Sequence, residues 1–457
     1  MWIAGAPVHG KQTFDVTNPA TGDVIGSAYQ ASPAHVADAV RAAREAQPGW
    51  AALGHEKRCE LLGAAAALFE SRSRTLAELI TREQGKPLSG PGSMFEMQAV
   101  VGWTQVPASL PMEPEVVFED DTRRDEVHYG PLGVVAAIAP WNWPVMIAIW
   151  QIVPALRMGN TVVIKPSENT PLGTLELVRL FNTLLPAGVL NVVTGDGKVG
   201  QALVESPDVD KIMFTGSVAT GQRVATAAAA NGTRVTLELG GNDAAIVLPD
   251  ADPEQIAEGL FWGCFINMGQ TCACAKRLYV PESKHDAIVG ALAELAEAMP
   301  MGNGLDESNV LGPVQNQQQY DKVAALVDDA KRRGATIVRG GAKQAGPGFF
   351  YPVTIVTDVE DGVPLVDEEQ FGPAIPVIRY QDVDDAVRRA NASPFGLGAS
   401  VWSSDSAAAS AVAQRIDAGT VWVNQHGAIH PMVPFGGAKG SGSGLEFGVE
   451  GLKAVAQ

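Results

Sequence analysis

Short apolar runs rich in Val and Ile alternate with longer amphipathic or Ala-rich stretches along most of the chain. A parallel strand covered by helices on both faces reads as a continuous apolar run, so the alternation predicts βα units rather than a bundle or a sandwich. In the first half the strand-like runs are GVVAAIA (133–139), TVVIK (161–165), VLNVV (189–193), KIMFT (211–215) and VTLEL (235–239), with helical patterns such as 171–184 and 217–230 between them. A second series follows Gly240: AAIVL (244–248), RLYV (277–280), VTIV (353–356), IPVI (375–378) and TVWV (420–423). Two successive series predict an α/β protein of two doubly wound domains joined near residue 240.

Two stretches break the rhythm. EVVFED (115–120) and RDEVHY (124–129) flank a polar turn and alternate in character, as a two-stranded ribbon would. Such a ribbon buries little alone; it is either a surface flap or an oligomerisation arm, and the pattern does not separate the two. LGVVAAIAPWNWPVMIAIW (132–150) has membrane-like hydropathy, yet Pro140, Asn142 and Pro144 cut it into pieces too short to span a bilayer. It reads as buried structure, with no membrane as partner.

Composition narrows the function. The chain has 457 residues, 46% hydrophobic and 18% charged, ordinary for a globular protein with large cores. Its net charge of −18 argues against a nucleic-acid partner, which requires clustered cations. The first residues, MWIAGAPVHGKQTFDV, lack the basic flank and apolar core of a secretory signal, and four cysteines are too sparse for a disulfide framework. A cytoplasmic location is expected.

Several segments carry candidate chemistry. FTGSVATG (214–221) sets Gly216, Ser217 and Gly221 between a strand and a helix, where close backbone approach and free N–H groups suit a phosphate. The same turn could be only a tight connection. IKPSENTP (164–171) ends a buried strand with Lys165 and Glu168, and Thr170 is predicted to cap a helix begun by Pro171. A carboxylate just past a strand's carboxyl end is where an adenosine ribose would offer its hydroxyls; the plainer reading is a pair of solvated loop charges. PWNWP (140–144) holds Asn142 at a rigid aromatic corner, able to donate to an oxyanion or simply to satisfy nearby backbone.

LELGG (237–241) puts Glu238 inside an apolar run. Burial there would raise its pKa toward general-base territory. GQTCAC (269–274) offers two thiols. Zinc takes about four ligands at recognisable spacing, and with no second Cys pair and seven scattered His no metal is expected. Cys264, in the helical, aromatic run before them, reads as core. A single thiol nucleophile remains, and spacing does not choose between Cys272 and Cys274.

Together the segments resemble the NAD(P)-dependent aldehyde dehydrogenase superfamily along nearly the whole chain. The match runs through NPATG (18–22), PWNWP, KPSE (165–168), FTGS (214–217), ELGGN (238–242), GQTC (269–272), EEQFGP (368–373) and PFGGAKGSG (434–442), in that order. The resemblance implies a cofactor-binding domain at 1–112 and 132–240, an oligomerisation ribbon at 113–131, a catalytic domain at 241–433 and a C-terminal return segment at 434–457. It implies Cys272 as nucleophile, Asn142 as oxyanion donor and Glu238 as the base that hydrolyses a thioester. It implies Trp141, Lys165, Glu168, Gly216, Ser217, Gly221, Glu369 and Phe371 at an NAD site (NADP also possible), with Glu168 disfavouring a 2′-phosphate. Glu446 matches a second carboxylate that relays protons.

Two departures from the family pattern stand out. Gln151 occupies a position where relatives often carry Lys, which removes a Lys-assisted relay. The chain stops at Gln457, before a strand that joins the ribbon in many relatives, so a homodimer is expected rather than a tetramer. The positions matching the aldehyde tunnel are Trp143, Met146, Trp150, Ile266, Ile429 and Phe435. These are apolar, with no Arg to clamp a distal carboxylate, so a hydrophobic aldehyde, aromatic or medium-chain aliphatic, is expected over a semialdehyde. His426 and His430 border this region and could read a polar tail or cap loop backbone. Glu238 argues against a CoA-acylating enzyme. The lack of a His in catalytic context argues against a cysteine hydrolase, and the intact Cys272, Asn142 and Glu238 argue against a non-catalytic binding protein.

Overall fold

The computed structural model describes all 457 residues. Five parallel strands form the centre of the first sheet, in the order Leu190–Val192, Thr161–Lys165, Val134–Ile138, Lys211–Thr215, Arg234–Glu238. This order reverses direction between Val134–Ile138 and Lys211–Thr215, and in open α/β sheets ligands bind beyond the carboxyl ends at such a switch point. Beyond those two ends lie the PWNWP and FTGS turns. Short antiparallel strands close the edges, Trp2–Ile3 and then Ala6–Pro7 on one side and Gly442–Ser443 on the other.

A second sheet of seven strands contains Asp243–Val247 at its heart, flanked by Ala275–Pro281 and Gly398–Trp402. All its pairings are parallel except that of the edge strand Thr336–Arg339. The chain passes from the carboxyl end of Arg234–Glu238 through Gly240 and Gly241 into the amino end of Asp243–Val247. The carboxyl edge of one sheet therefore adjoins the amino edge of the other. Alternate residues of Val134–Ile138 pack into apolar clusters on opposite faces of the first sheet, and Ala244 and Ile246 do so against Ala245 and Val247 in the second.

The membrane-like stretch resolves into the buried strand Val134–Ile138 and the helix Pro144–Arg157, every residue of which is buried. Each large apolar side chain so buried contributes roughly 1.5–3 kcal/mol. No helix is long and apolar enough to cross a membrane. Glu115–Glu119 and Arg124–Val127 pair antiparallel as a separate two-stranded sheet, with Val116, Val117, Phe118 and Val127 exposed.

Some elements differ from expectation. The strand Gly398–Trp402 was not visible in an apolar run because its small residues make room for others: a Cβ at Gly398 would sit 2.7 Å from the Trp422 ring. The pair Gln12–Thr17 and Val24–Gln30 is too polar to announce itself. Thr170 does not cap the following helix, Leu172–Phe181; the Glu83 carboxylate accepts from Leu172 N (2.7 Å) and Gly173 N (2.8 Å) instead. A carboxylate at a helix N-terminus satisfies free donors and complements the dipole.

Candidate active site

The loop that carries the two thiols is conformationally forced. Asn267 (φ 50°) and Met268 (φ 57°) take left-handed backbone that non-glycine residues rarely adopt. Gln270 holds the turn, its Nε2 donating to Asn267 O (2.9 Å) and its Oε1 accepting from Gln315 N (2.9 Å). The two cysteines then part: Cys274 is fully buried, while Cys272 is half-buried and packs against the apolar cluster over the first sheet. Burial pushes the Cys272 thiol up to about 12, and Lys276 opposes that rise. The backbone N–H of Cys272 is free of backbone partners.

Asn142 is gripped from several sides. Its Nδ2 donates to Gln270 O (2.9 Å), which leaves a second N–H on that nitrogen. Its carbonyl accepts from Lys86 Nζ (2.8 Å) and Asn267 Nδ2 (2.8 Å). Lys86 pairs with Glu96 at 2.6 Å, both side chains without exposure, and its ammonium lies 3.4 Å from the Trp143 ring centroid. Glu96 also accepts from Val145 N and Met146 N, capping the helix that follows PWNWP. Burial lowers Lys86 to about 8 against the pull of Glu96. Sequence reasoning missed Lys86 and Glu96; their one signal was a Lys beside a glycine at a helix end.

Glu238 ends its strand buried, with Oε1 unpartnered. Burial raises its pKa well above the carboxylate range, and the facing charge of Glu446 raises it further. Glu446 is itself buried with an unpartnered Oε2, and burial raises it while Lys211 draws it down. Gln151 does not reach toward a relay as a cation would: its Nε2 donates to Ile138 O (3.3 Å) and Thr215 Oγ1 (3.1 Å). Lys211, unmarked by any motif reading, is the buried cation here, lowered to about 8 chiefly by burial.

The residues expected at a cofactor site lie on or beside loops that follow strands of the two sheets. Phe371, another left-handed residue (φ 51°), meets Trp141 edge-on at 5.3 Å. Glu369 accepts from Gly241 N (3.0 Å) and lies 3.4 Å from Lys276 Nζ, and a Cβ at Gly240 would collide with its carboxylate. Lys165 is buried rather than solvated, 3.6 Å from the exposed Glu168. Ser217 caps the helix Val218–Asn231. Gly216 and Gly221 have packing duties: a Cβ at Gly216 would sit 2.6 Å from Phe214, and one at Gly221 would strike Leu239. The Gly216 N–H already donates to Glu238 O (3.0 Å). A half-open aromatic slot, a carboxylate reached past a glycine and a helix N-terminus fit a dinucleotide.

The tunnel candidates Trp143, Met146, Trp150 and Phe435 belong to the apolar cluster that Cys272 touches, and Ile266 and Ile429 pack against it. Trp103 and Phe447, not foreseen, complete its aromatic part, with Trp150 5.5 Å from Trp103 and 4.8 Å from Phe447. Trp143 also donates from Nε1 to Thr271 Oγ1 (2.9 Å), tying this wall to the thiol loop. The two histidines face elsewhere. His426 turns inward to Ser400 Oγ (2.8 Å) and Asp243, and exposed His430 accepts from Met432 N (3.3 Å) as a loop cap.

Two parallel sheets joined edge to edge, with a thiol and a buried carboxylate brought together at the junction, fit a cofactor-dependent α/β oxidoreductase. The model of the aldehyde dehydrogenase family matches residues 6–457. A betaine aldehyde dehydrogenase of Rhizobium leguminosarum bv. trifolii is 40% identical over 444 residues, 95% of this chain and 90% of that protein. The NAD+ complex of an aldehyde dehydrogenase from Bacillus cereus superposes with a TM-score of 0.97 at 34% identity, covering 100% of this chain and 94% of the other. An NAD-dependent aldehyde dehydrogenase from Sinorhizobium meliloti gives 0.96 at 35%, covering 100% and 93%. The chain belongs to the aldehyde dehydrogenase family and is an NAD(P)-dependent aldehyde oxidoreductase.

Proposed function

We propose that the protein oxidises a hydrophobic aldehyde, aromatic or medium-chain aliphatic, to its acid with NAD, through a thioester on Cys272. The observation that carries this is the half-buried Cys272 against an aromatic cluster, with no Arg among the tunnel positions Trp143, Met146, Trp150, Ile266, Ile429 and Phe435, and with Asn142 and Glu238, whose Oε1 is unpartnered, nearby. The thiolate adds to the aldehyde carbon, and the second N–H of Asn142 Nδ2 and the Cys272 N–H receive the oxyanion. One such donor is typically worth about 3–4 kcal/mol of transition-state stabilisation. A bound oxidised nicotinamide would supply the acceptor for the hydride that leaves this carbon. Glu238 then takes a proton from the water that attacks the thioester, and the Cys272 thiolate leaves.

Trp141 and Phe371 would wall the nicotinamide, Glu369 would accept from its ribose, and Ser217 would meet the pyrophosphate. Lys165 and Glu168 would hold the adenosine ribose, with Glu168 repelling a 2′-phosphate. The exposed apolar ribbon supports a homodimer, and four free cysteines are in keeping with a reducing compartment.

A second reading, a trimethylammonium aldehyde, is favoured by the Trp103–Trp150–Phe447 group, since aromatic faces bind such cations, and by the relative just described. Reduced-cofactor absorbance with benzaldehyde, phenylacetaldehyde, octanal, betaine aldehyde and succinic semialdehyde separates the readings. Turnover of the first three, lost in Cys272→Ala and kept in Cys274→Ala, is expected. Preference for betaine aldehyde would install the second reading, and preference for the semialdehyde would sink both.

A further inference from the structure

Beside the candidate nucleophile lies a buried ammonium that none of these roles uses. Lys276 is the second residue of the strand Ala275–Pro281 and folds back on the preceding loop, its side chain 3% exposed. Its Nζ lies 2.9 Å from Thr271 O, 2.5 Å from Cys272 O and 3.5 Å from Cys274 O, and 3.4 Å from Glu369 Oε1. One side chain thus grips the carbonyls on both sides of the thiol and the carboxylate that faces the cofactor cleft.

The charges that act on the thiol come from four elements. Glu238 ends the last long strand of the first sheet, Asp243 opens the second sheet, Glu369 stands on the loop before Ala374–Tyr380, and Lys276 alone among them is a cation. Three carboxylates and burial all disfavour a thiolate. A thiol in such surroundings is inert unless a positive charge compensates, because the thiolate is the nucleophile. Lys276 stays charged there: burial opposes its ammonium, but Glu369, Asp243 and the thiols outweigh that, and its pKa is raised.

We propose that Lys276 is the positioning residue that renders Cys272 reactive, by clamping the loop carbonyls and offsetting the carboxylates gathered around the sulfur. The proposal rests on Cys272 being the nucleophile. It requires no cofactor to be observed. In alkylation by iodoacetamide the Cys272 thiolate forms a C–S bond as the C–I bond breaks and iodide leaves, so the rate reports the thiolate directly.

The test is the rate of Cys272 alkylation, read by peptide mass spectrometry on the cofactor-free full chain. Wild type, K276R, K276M, E369Q and the double variant K276M/E369Q are compared from about pH 6 to about pH 10. The double variant removes both partners of the 3.4 Å pair, so neither is left buried without the other. Expected is a loss of about tenfold or more at neutral pH in K276M relative to wild type, and the same loss in K276M/E369Q relative to E369Q, with the profile displaced to higher pH. K276R retains most of the rate. Equal profiles for E369Q and K276M/E369Q, with Cys272 reactive in wild type, would overturn the role of Lys276 and leave the nucleophile standing. A wild-type Cys272 no more reactive than the half-buried Cys59 would instead overturn the nucleophile reading itself.

Discussion

Glu238 and Glu446 are two buried carboxyls, and the charge of Glu446 makes Glu238 harder to ionise. As the proposed base, Glu238 works only when ionised. The acid limb of turnover should therefore lie above the ordinary carboxylate range. Glu446→Gln removes the like charge, lowers the Glu238 pKa and moves that limb to lower pH, which a pH profile of steady-state rates would reveal. An unmoved limb would mean that the two do not communicate. Replacing the base itself, Glu238→Gln, should slow deacylation by ~10²–10⁴-fold and let a thioester on Cys272 accumulate. Intact-protein mass spectrometry after addition of aldehyde and NAD would detect the adduct.

The same pair governs stability with a definite sign. Both groups hold protons more tightly folded than unfolded, so across the window from the ordinary carboxylate range up to their raised values the native chain carries more protons. Stability contributed by these sites therefore falls as pH rises through that window. Glu446→Gln should flatten the fall, measured as urea midpoints at several pH values. A midpoint that falls with pH at least as steeply in the variant as in the wild type would contradict it.

At the scale of elements, the turn after the long helix Gly54–Gln84 acts as a strap. Gly85 takes a left-handed φ of 97°, and a Cβ there would sit 2.7 Å from both Pro19 and Pro313. This brings Lys86 under the PWNWP corner, where it meets Glu96 and the Asn142 carbonyl. Removing one partner of a buried pair leaves the other charge uncompensated, at about 3–5 kcal/mol. Glu96→Gln should lower the denaturant midpoint accordingly and reduce kcat more than it changes the KM for aldehyde, because it loosens the mount of Asn142, the proposed oxyanion donor. Equal stability and turnover would show that the strap holds nothing.

This strap also marks where the sequence stops being legible. The strands around 134, 161, 211 and 244 announce themselves because a doubly covered strand has no polar face to hide. Motif order then points to Cys272 and Asn142 as site residues. What holds them does not show, because Lys86 and Asn142 are 56 residues apart and nothing local relates them. Glu83 replaces Thr170 as a cap for the same reason, from 89 residues away. His426, placed near the tunnel by position in the chain, turns its ring toward Ser400, a direction no spacing encodes.

At the scale of the whole molecule, the ribbon is the one element without a core of its own. All five residues of Glu115–Glu119 are exposed, so Val116, Val117 and Phe118 all meet solvent. An open edge of this kind invites pairing with another chain. The ribbon is nevertheless anchored at its base: Lys453 Nζ pairs with Glu115 (2.7 Å), and Gly130 and Gln457 exchange backbone hydrogen bonds of 2.8 and 2.9 Å. A ribbon fixed to the last residues of the chain yet bare along its length is suited to a second copy. If the proposed homodimer forms through this ribbon, Val117→Lys with Phe118→Lys should leave only monomer in sedimentation velocity. The sheets and the cleft between them do not include these residues, so the monomer should still bind NAD in calorimetry. A dimer that survives both lysines would place the contact elsewhere on the surface.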